Sequence, residues 1–253
     1  AGAKYATTPL ADYNTYEGVM RMFFDGTIEE SEYRERKAYL ETLNTDWLDL
    51  LTRTTVSHNH NLSIGGASDK ATYLFSVGYN KENGQEKGNS TERFTSRVSV
   101  NMRPHEKIRL AFNINGTVAK TKGFANGVDP LGYATSTSRA IPAFEEDGSY
   151  AYYQRVNTYQ YNGENASLSY NILNEMDNSG STIKNGRVNF AVDFTWELTD
   201  WLSYQLTGGY TYNSTNTERF SNERTYYIAS NYRGYDYGTV EASNPWYAAA
   251  QLP

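Results

Sequence analysis

Five segments of this chain alternate apolar and polar residues, and the connections around them run short, medium, short, long, short, long. The first ladder sets Ala71, Tyr73, Phe75, Val77 and Tyr79 against Thr72, Ser76 and Asn80. The second sets Phe94, Val98, Val100 and Met102 against Arg93, Thr95, Arg97, Ser99 and Asn101. In the third, Ile108, Leu110, Phe112, Ile114 and Val118 oppose Arg109, Asn113, Asn115 and Thr117. In the fourth, Val188, Phe190, Val192, Phe194 and Trp196 oppose Arg187, Asn189, Asp193 and Thr195. The fifth places Leu202, Tyr204, Leu206, Tyr210 and Tyr212 opposite Ser203, Gln205, Thr207 and Thr211. Strand side chains change face at every residue, so each ladder has one apolar and one wet face. A shorter run from His58 to Gly66, through Leu62 and Ile64, reads as a sixth strand. Antiparallel strands are expected near 57–66, 70–81, 92–103, 107–120, 185–197 and 201–213, each paired with its neighbour in sequence.

Alternation alone suits a membrane barrel and a soluble sandwich equally. Loop order separates them. The tight connections are Ala67–Asp69, Pro104–Glu106 and Leu198–Asp200, and the extended ones are Lys81–Glu92, Thr121–Lys184 and the stretch after Asn213. Tight turns at one end and large loops at the other are the pattern of an outer-membrane β-barrel. The ladders run roughly 10 residues or more, against about 5–6 for a soluble strand and about 9–11 for a tilted membrane strand. Tyr79, Trp196, Trp201, Tyr210 and Tyr212 stand near ladder ends, where rings sit at lipid headgroups. The expected fold is all-β: an antiparallel up-and-down meander forming part of a transmembrane β-barrel, with long extracellular loops and a short loop helix. The alternative is a secreted, soluble all-β module that binds carbohydrate or protein.

The mean hydropathy of −0.71 is compatible with this, because only every second strand residue would face lipid. No run of ~18 apolar residues offers a transmembrane helix. The net charge of −6 argues against nucleic acid as a partner. With no cysteine and 3 histidines, neither a disulfide scaffold nor a cysteine zinc site is available. No catalytic constellation stands out, and neither an enzyme nor a cofactor is expected. His58 and His60 point the same way from one strand, and an interfacial or structural role is preferred to a metal. Glu145-Glu146-Asp147-Gly148 reads as an acidic turn rather than a calcium loop.

Residues 1–56 are not β-like. Thr27-Ile28-Glu29-Glu30 fits a capping box, and a helix is expected near 28–43 with Glu32–Arg36 at helical spacing. Its apolar face (Ile28, Tyr39, Leu40, Leu43) is thin. Residues 1–56 are read as an extracellular loop region, 57–213 as barrel strands with a long loop at 121–184, and 214–253 as a further extracellular loop. A hairpin near 149–161 is expected in the long loop, with turn chemistry at Asp147-Gly148 and Asn162-Gly163. No signal peptide begins at Ala1, and both ends fall in loop-like sequence, so the chain is expected to be incomplete at both ends.

The stretch NTDWLDLLTRTTVSHNHNLSIGG at 44–66 carries Thr45-Asp46-Trp47 and Asn59–Gly66. Thr72–Tyr79 and Arg93–Arg97 follow as T-Y-x-x-S-(L/V)-G-Y and R-(F/Y)-x-x-R strands. This succession, best over 44–120, resembles the front of the barrel in SusC/RagA-type TonB-linked outer-membrane transporters. The resemblance implies a many-stranded barrel in the cell outer membrane, with a plug and a TonB-coupling segment that this stretch does not contain. It further implies a SusD-like surface lipoprotein lid, TonB as energy partner, contact with outer-membrane lipid, and an oligosaccharide or peptide substrate.

Tyrosine-rich loops are the candidate contact surfaces for ligand or lid: Tyr150, Tyr152, Tyr153, Tyr159 and Tyr161 in one segment, and Tyr226, Tyr227, Tyr232, Tyr235, Tyr237, Trp246 and Tyr247 in the other. Rings offer contact area at low entropy cost and keep a polar tip. Arg93, Arg97, Arg109, Arg187 and Asp193 are candidates to line the lumen. Both segments are expected at the end of the sheet opposite the tight turns.

Overall fold

The computed structural model describes residues 15–161 and 164–238, with 156–161 and 164–167 as backbone alone. The ladders form one six-stranded sheet: β1 (Ser57–Ser68), β2 (Ala71–Asn83), β3 (Ser90–His105), β4 (Ile108–Gly123), β7 (Ser179–Thr199) and β8 (Leu202–Ser221), in that order. The registered pairs from β1 through β7 are antiparallel. Thr207 Oγ1 donates to Asp193 Oδ1 at 2.8 Å, and Thr211 bonds Asn189, which sets the β7–β8 register. Between β4 and β7 lies a separate hairpin, β5 (Tyr153–Tyr161) with β6 (Glu164–Tyr170).

Register aligns the ladders into rows across the sheet. One row runs Ile64, Phe75, Val98, Ile114, Phe190, and the row behind it on the other face runs Ser63, Ser76, Arg97, Asn115, Asn189. The apolar face extends along β4 from Ile108 to Val118. Ten residue steps at about 3.4 Å, tilted about 40°, give a band about 26 Å tall, matching the ~25 Å apolar band of a barrel. Beyond it comes a charged row, His58, Lys81, Glu92, Lys120 and Lys184, with Lys81 and Glu92 paired at 3.0 Å. Among the described residues, no buried hydrophobic belongs to this sheet, and Phe75, Phe190 and Leu206 are 43%, 40% and 52% exposed. A sandwich would bury this face in a core, and no such core forms on it among the described residues.

Two-residue turns at 69–70, 106–107 and 200–201 close one end of the sheet. They lie one to two residues beyond the expected turns. Pro104 stays within β3, at a register irregularity between Met102 and His105, where no ladder donor is required of it. The strands also outrun the expectation at the other end. The extended connection expected at Lys81–Glu92 shrinks to residues 84–89, closed by Gly84 N–H on Asn89 O at 2.9 Å. β8 continues to Ser221 instead of ending at 213, and β7 begins at Ser179. Pairing needs only a hydrogen-bonding neighbour, and beyond the lipid zone both faces turn polar, which erases period two. Gly66 of the NLSIGG strand has a packing reason. A Cβ there would lie 2.6 Å from Cζ of Tyr73, whose ring covers the glycine.

The second unit holds Ala1–Arg53, Phe124–Gly180 and Arg219–Pro253, of which the described residues contain the buried hydrophobics. In it, α1 (Tyr16–Phe24) and α2 (Glu30–Thr42) form a pair around Val19, Ile28 and Leu40, with the Phe23 and Tyr33 rings stacked at 4.6 Å. The expected capping box does not form. α2 starts after Glu29, which makes no side-chain cap bond, and the N–H groups of Thr27 and Ile28 close α1 on Met22 O. Glu30 instead pairs with Arg34 at 2.5 Å, and Glu32 pairs with Arg36 at 3.1 Å. α3 (Trp47–Leu51), α4 (Pro130–Ser136), α5 (Ile172–Asn178) and the turn α6 (Tyr226–Ile228), running into a wider π-type turn over Ala229–Arg233, complete the unit.

Candidate functional site

The T-D-W motif staples residues 138–141. Thr45 N–H donates to Arg139 O at 2.9 Å, Thr45 Oγ1 to Ile141 O at 2.8 Å, and Trp47 Nε1 to Ser138 O at 3.1 Å. Asp46 caps α3 through Asp49 N–H and meets Arg139 at 2.6 Å; these two partners hold its carboxyl below the usual range, the backbone donor foremost. The Trp47 ring is buried edge-on to Tyr133 at 5.1 Å. The packing continues ring to ring: Tyr133 to Tyr170 at 6.0 Å, and Tyr170 to Tyr153 at 5.7 Å and to Tyr226 at 5.4 Å. The Arg155 guanidinium lies 4.2 Å from the Tyr170 ring centre and 5.3 Å from that of Tyr226. Burial pushes the Tyr133 and Tyr170 phenols well above their ordinary values, and raises Tyr153 too.

α5 joins the two tyrosine-rich segments. Its cap Asn171 accepts from Leu173 and Asn174 N–H and donates to Ala143 O at 3.0 Å and Ala151 O at 2.7 Å. Asn174 Nδ2 donates to Arg224 O at 3.0 Å, and Glu175 Oε1 accepts from Tyr226 N–H at 2.7 Å. Tyr150 donates to Asp177, a bond that with burial pushes its phenol up to about 12. These ties leave a cavity of about 810 Å³ walled by 150–152, α5 and 224–238. Its lining includes Tyr150, Tyr152, Tyr226, Tyr237, Arg224 and Arg233.

Glu175 is buried, and desolvation raises its pKa above the ordinary carboxylate value despite its hydrogen bonds. A raised native pKa gives stability that is full below the unfolded value of about 4.3 and is lost as pH rises through the native value. The protection of α5 and α6 amides in the full-length protein, relative to their intrinsic exchange at each pH, should therefore fall as pH rises above about 4.3. Glu175→Gln should flatten that slope; an unchanged slope would assign it to another group.

The candidate tyrosines divide. Tyr150 and Tyr152 line the cavity, with Tyr152 38% exposed. Tyr153 is a packing ring beside Tyr170, so its phenyl face is already used. Tyr235 lies under the Arg233 guanidinium at 5.8 Å, and Tyr232, 70% exposed, meets Tyr227 at 6.1 Å. The side chains of Tyr159 and Tyr161, with Trp246 and Tyr247, lie outside the described residues. Arg233, Arg224, Ser169 and Asp236 escaped sequence reasoning, because no spacing links segments that meet only in the folded chain. On the sheet, Arg93, Arg97, Arg109, Arg187 and Asp193 share the polar face. A groove of about 520 Å³ brings Arg97 and Arg187 together, Arg97 Nε donating to Asn115 Oδ1 at 2.9 Å. Arg109 pairs with Glu197. His58 and His60 stack at 6.5 Å, and no group of three potential ligands occurs among the described residues. At the acidic turn, Asp147 Oδ1 accepts Ser149 N–H at 2.9 Å, and Gly148 takes φ +83°.

No protein-family model matches the chain. It is 29% identical over 218 residues, 79% of its length, to the TonB-dependent receptor SusC of Bacteroides thetaiotaomicron. It is 31% identical over 113 residues, 45% of its length, to the TonB-dependent receptor P26 of Formosa agariphila. These matches span 21% and 11% of the relatives' lengths, so the chain corresponds to about a fifth of such a protein. Two structures of RagAB, a peptide transporter and a peptide importer in a "closed-closed" state, share the fold. Their TM-scores are 0.56 and 0.58 at 18% and 19% identity, covering 70% and 74% of this chain and 20% and 21% of theirs. With its coreless, apolar-faced meander, the chain is therefore similar to a section of the barrel of SusC/RagA-type TonB-dependent outer-membrane receptors.

Proposed function

We propose that the protein imports a nutrient, an oligosaccharide or a peptide, across the outer membrane, powered through TonB and working with a SusD-like surface lipoprotein. The chain contributes barrel wall and surface loops, with no chemistry on the substrate. The apolar face meets lipid, and the face bearing Arg93, Arg97, Arg109, Arg187 and Asp193 lines the lumen. The observation that carries this reading is the cavity built from the two tyrosine-rich segments, held by its own core rather than left as open loop. Residues 1–56, 121–184 and the stretch beyond β8 belong to the extracellular side, since large loops lie there in such barrels.

The test is uptake of labelled oligosaccharides and peptides by cells carrying the full-length receptor, with and without TonB. Tyr150→Ala with Tyr152→Ala should lower uptake several-fold while the amount of folded barrel stays the same, because loops carry function on a rigid scaffold. Tyr153 is left intact, as its loss would disturb packing. Uptake independent of TonB would refute import, and normal uptake by the double variant would leave those rings no part in it.

A further inference from the structure

We infer that the loop cavity receives an acidic saccharide, its carboxylate or sulfate group held by Arg233 and Arg224 and its ring laid against the neighbouring tyrosines. This rests on the importer reading and deepens it. Arg233 lines the cavity, and its Nε and Nη2 are buried without a hydrogen-bond partner. A guanidinium stays protonated at any physiological pH, so leaving its donors dry and unmatched is costly. Arg224 stands close by: the two guanidinium carbons lie 5.4 and 5.6 Å from the Tyr237 ring centre. Two cations are thus gathered about one phenol, and neither forms an ion pair among the described residues.

The two carboxylates that line the cavity have other work, while Glu223 adds its charge near Arg233 from outside the lining. Asp236 accepts Ser169 N–H at 3.0 and 3.1 Å and its hydroxyl at 2.6 Å, and Asp177 accepts from Tyr150. An anion entering the cavity would meet planar donors suited to carboxylate or sulfate oxygens. The rest of the lining favours a sugar over a peptide. Ala229 is its one aliphatic side chain, so the apolar part of the lining is made mainly of flat tyrosine rings, a surface suited to a sugar face. The Tyr152 ring, 38% exposed, and the amide groups match the C–H faces and hydroxyls of a pyranose. The volume falls within the ~300–1,000 Å³ of ligand pockets.

The experiment is calorimetric titration of the full-length receptor in detergent. The probes are trigalacturonate, its neutral methyl ester, a sulfated galactose trimer and triglutamate. An acidic trimer should bind at least tenfold tighter than the ester, and the stronger of the two names the anionic group. Arg233→Met should weaken that binding at least tenfold and Arg233→Lys less, while Arg224→Met should weaken it several-fold and reduce its salt dependence. Should Arg233→Met lose its melting transition, the Arg224 variant and the ester decide the matter. Equal binding of the ester, no binding of either acidic trimer, or unchanged affinity in the folded arginine variants would overturn the inference. Triglutamate bound as tightly as the sugars would overturn it in favour of a peptide. Cellular uptake keeps the two readings apart. TonB-dependent import of a neutral glycan without acidic-trimer binding leaves the importer standing, whereas tight acidic binding without TonB-dependent uptake removes the importer and keeps the cavity.

Discussion

Replacing Phe190 with arginine is expected to destabilise the receptor in a bilayer by about 2–4 kcal/mol, the cost of a cation facing lipid near the midplane. Phe190 shares its row with Phe75, Val98 and Ile114, close to half-way between Ile108 and Val118 along the apolar face. Ala111→Arg serves as the control. Ala111 is on the polar face, directly opposite Asp193, where the new cation gains a partner and water. Denaturant unfolding of the full-length receptor from vesicles measures both. A penalty as large at Ala111 as at Phe190 would mean that the lipid and lumen faces are assigned the wrong way round.

Trp47→Ala should cost about 3–5 kcal/mol, the usual loss for a large aromatic removed from a core. It removes the bond to Ser138 O and the ring beneath Tyr133, and so loosens the run of rings that ends at Tyr226 in the cavity wall. The barrel wall should survive, because its strands pair without Trp47. The expected signature is quick surface proteolysis of the 124–180 segment in a receptor that still inserts. Trp47→Phe should recover part of the packing but not the hydrogen bond. Unaltered protease resistance in Trp47→Ala would remove the staple from the account of the loops.

Legibility followed physical period. Where one face meets lipid and the other water, alternation locates the six wall strands to within a few residues at their turn ends. It fades where β7 and β8 pass beyond the apolar band and both faces are polar, hence the eight residues missed between 213 and Ser221. α2 was readable from its helix formers. α1 and α3 were not, since their shortness and their caps, Thr15 and Asp46, give little periodic signal. The Thr27 box misled because its backbone donors serve the end of α1. Tyrosine clustering pointed to the right segments. It could not separate Tyr152, which lies just before β5 and opens on the cavity, from Tyr153, which packs, because only tertiary contact decides which ring is in.

The staple between Trp47 and Ser138 spans 91 residues of chain, and the bond from Tyr226 to Glu175 spans 51. The hairpins β1–β2, β3–β4 and β7–β8, joined by two-residue turns, close locally, whereas these contacts, like the β4–β7 pairing, must wait until distant segments have been drawn together. The loop cavity should therefore mature after the local hairpins of this chain. During assembly there is an interval in which the three local hairpins are paired but the tyrosine-rich segments are still open to proteases, and the staple residues help set how soon that interval ends.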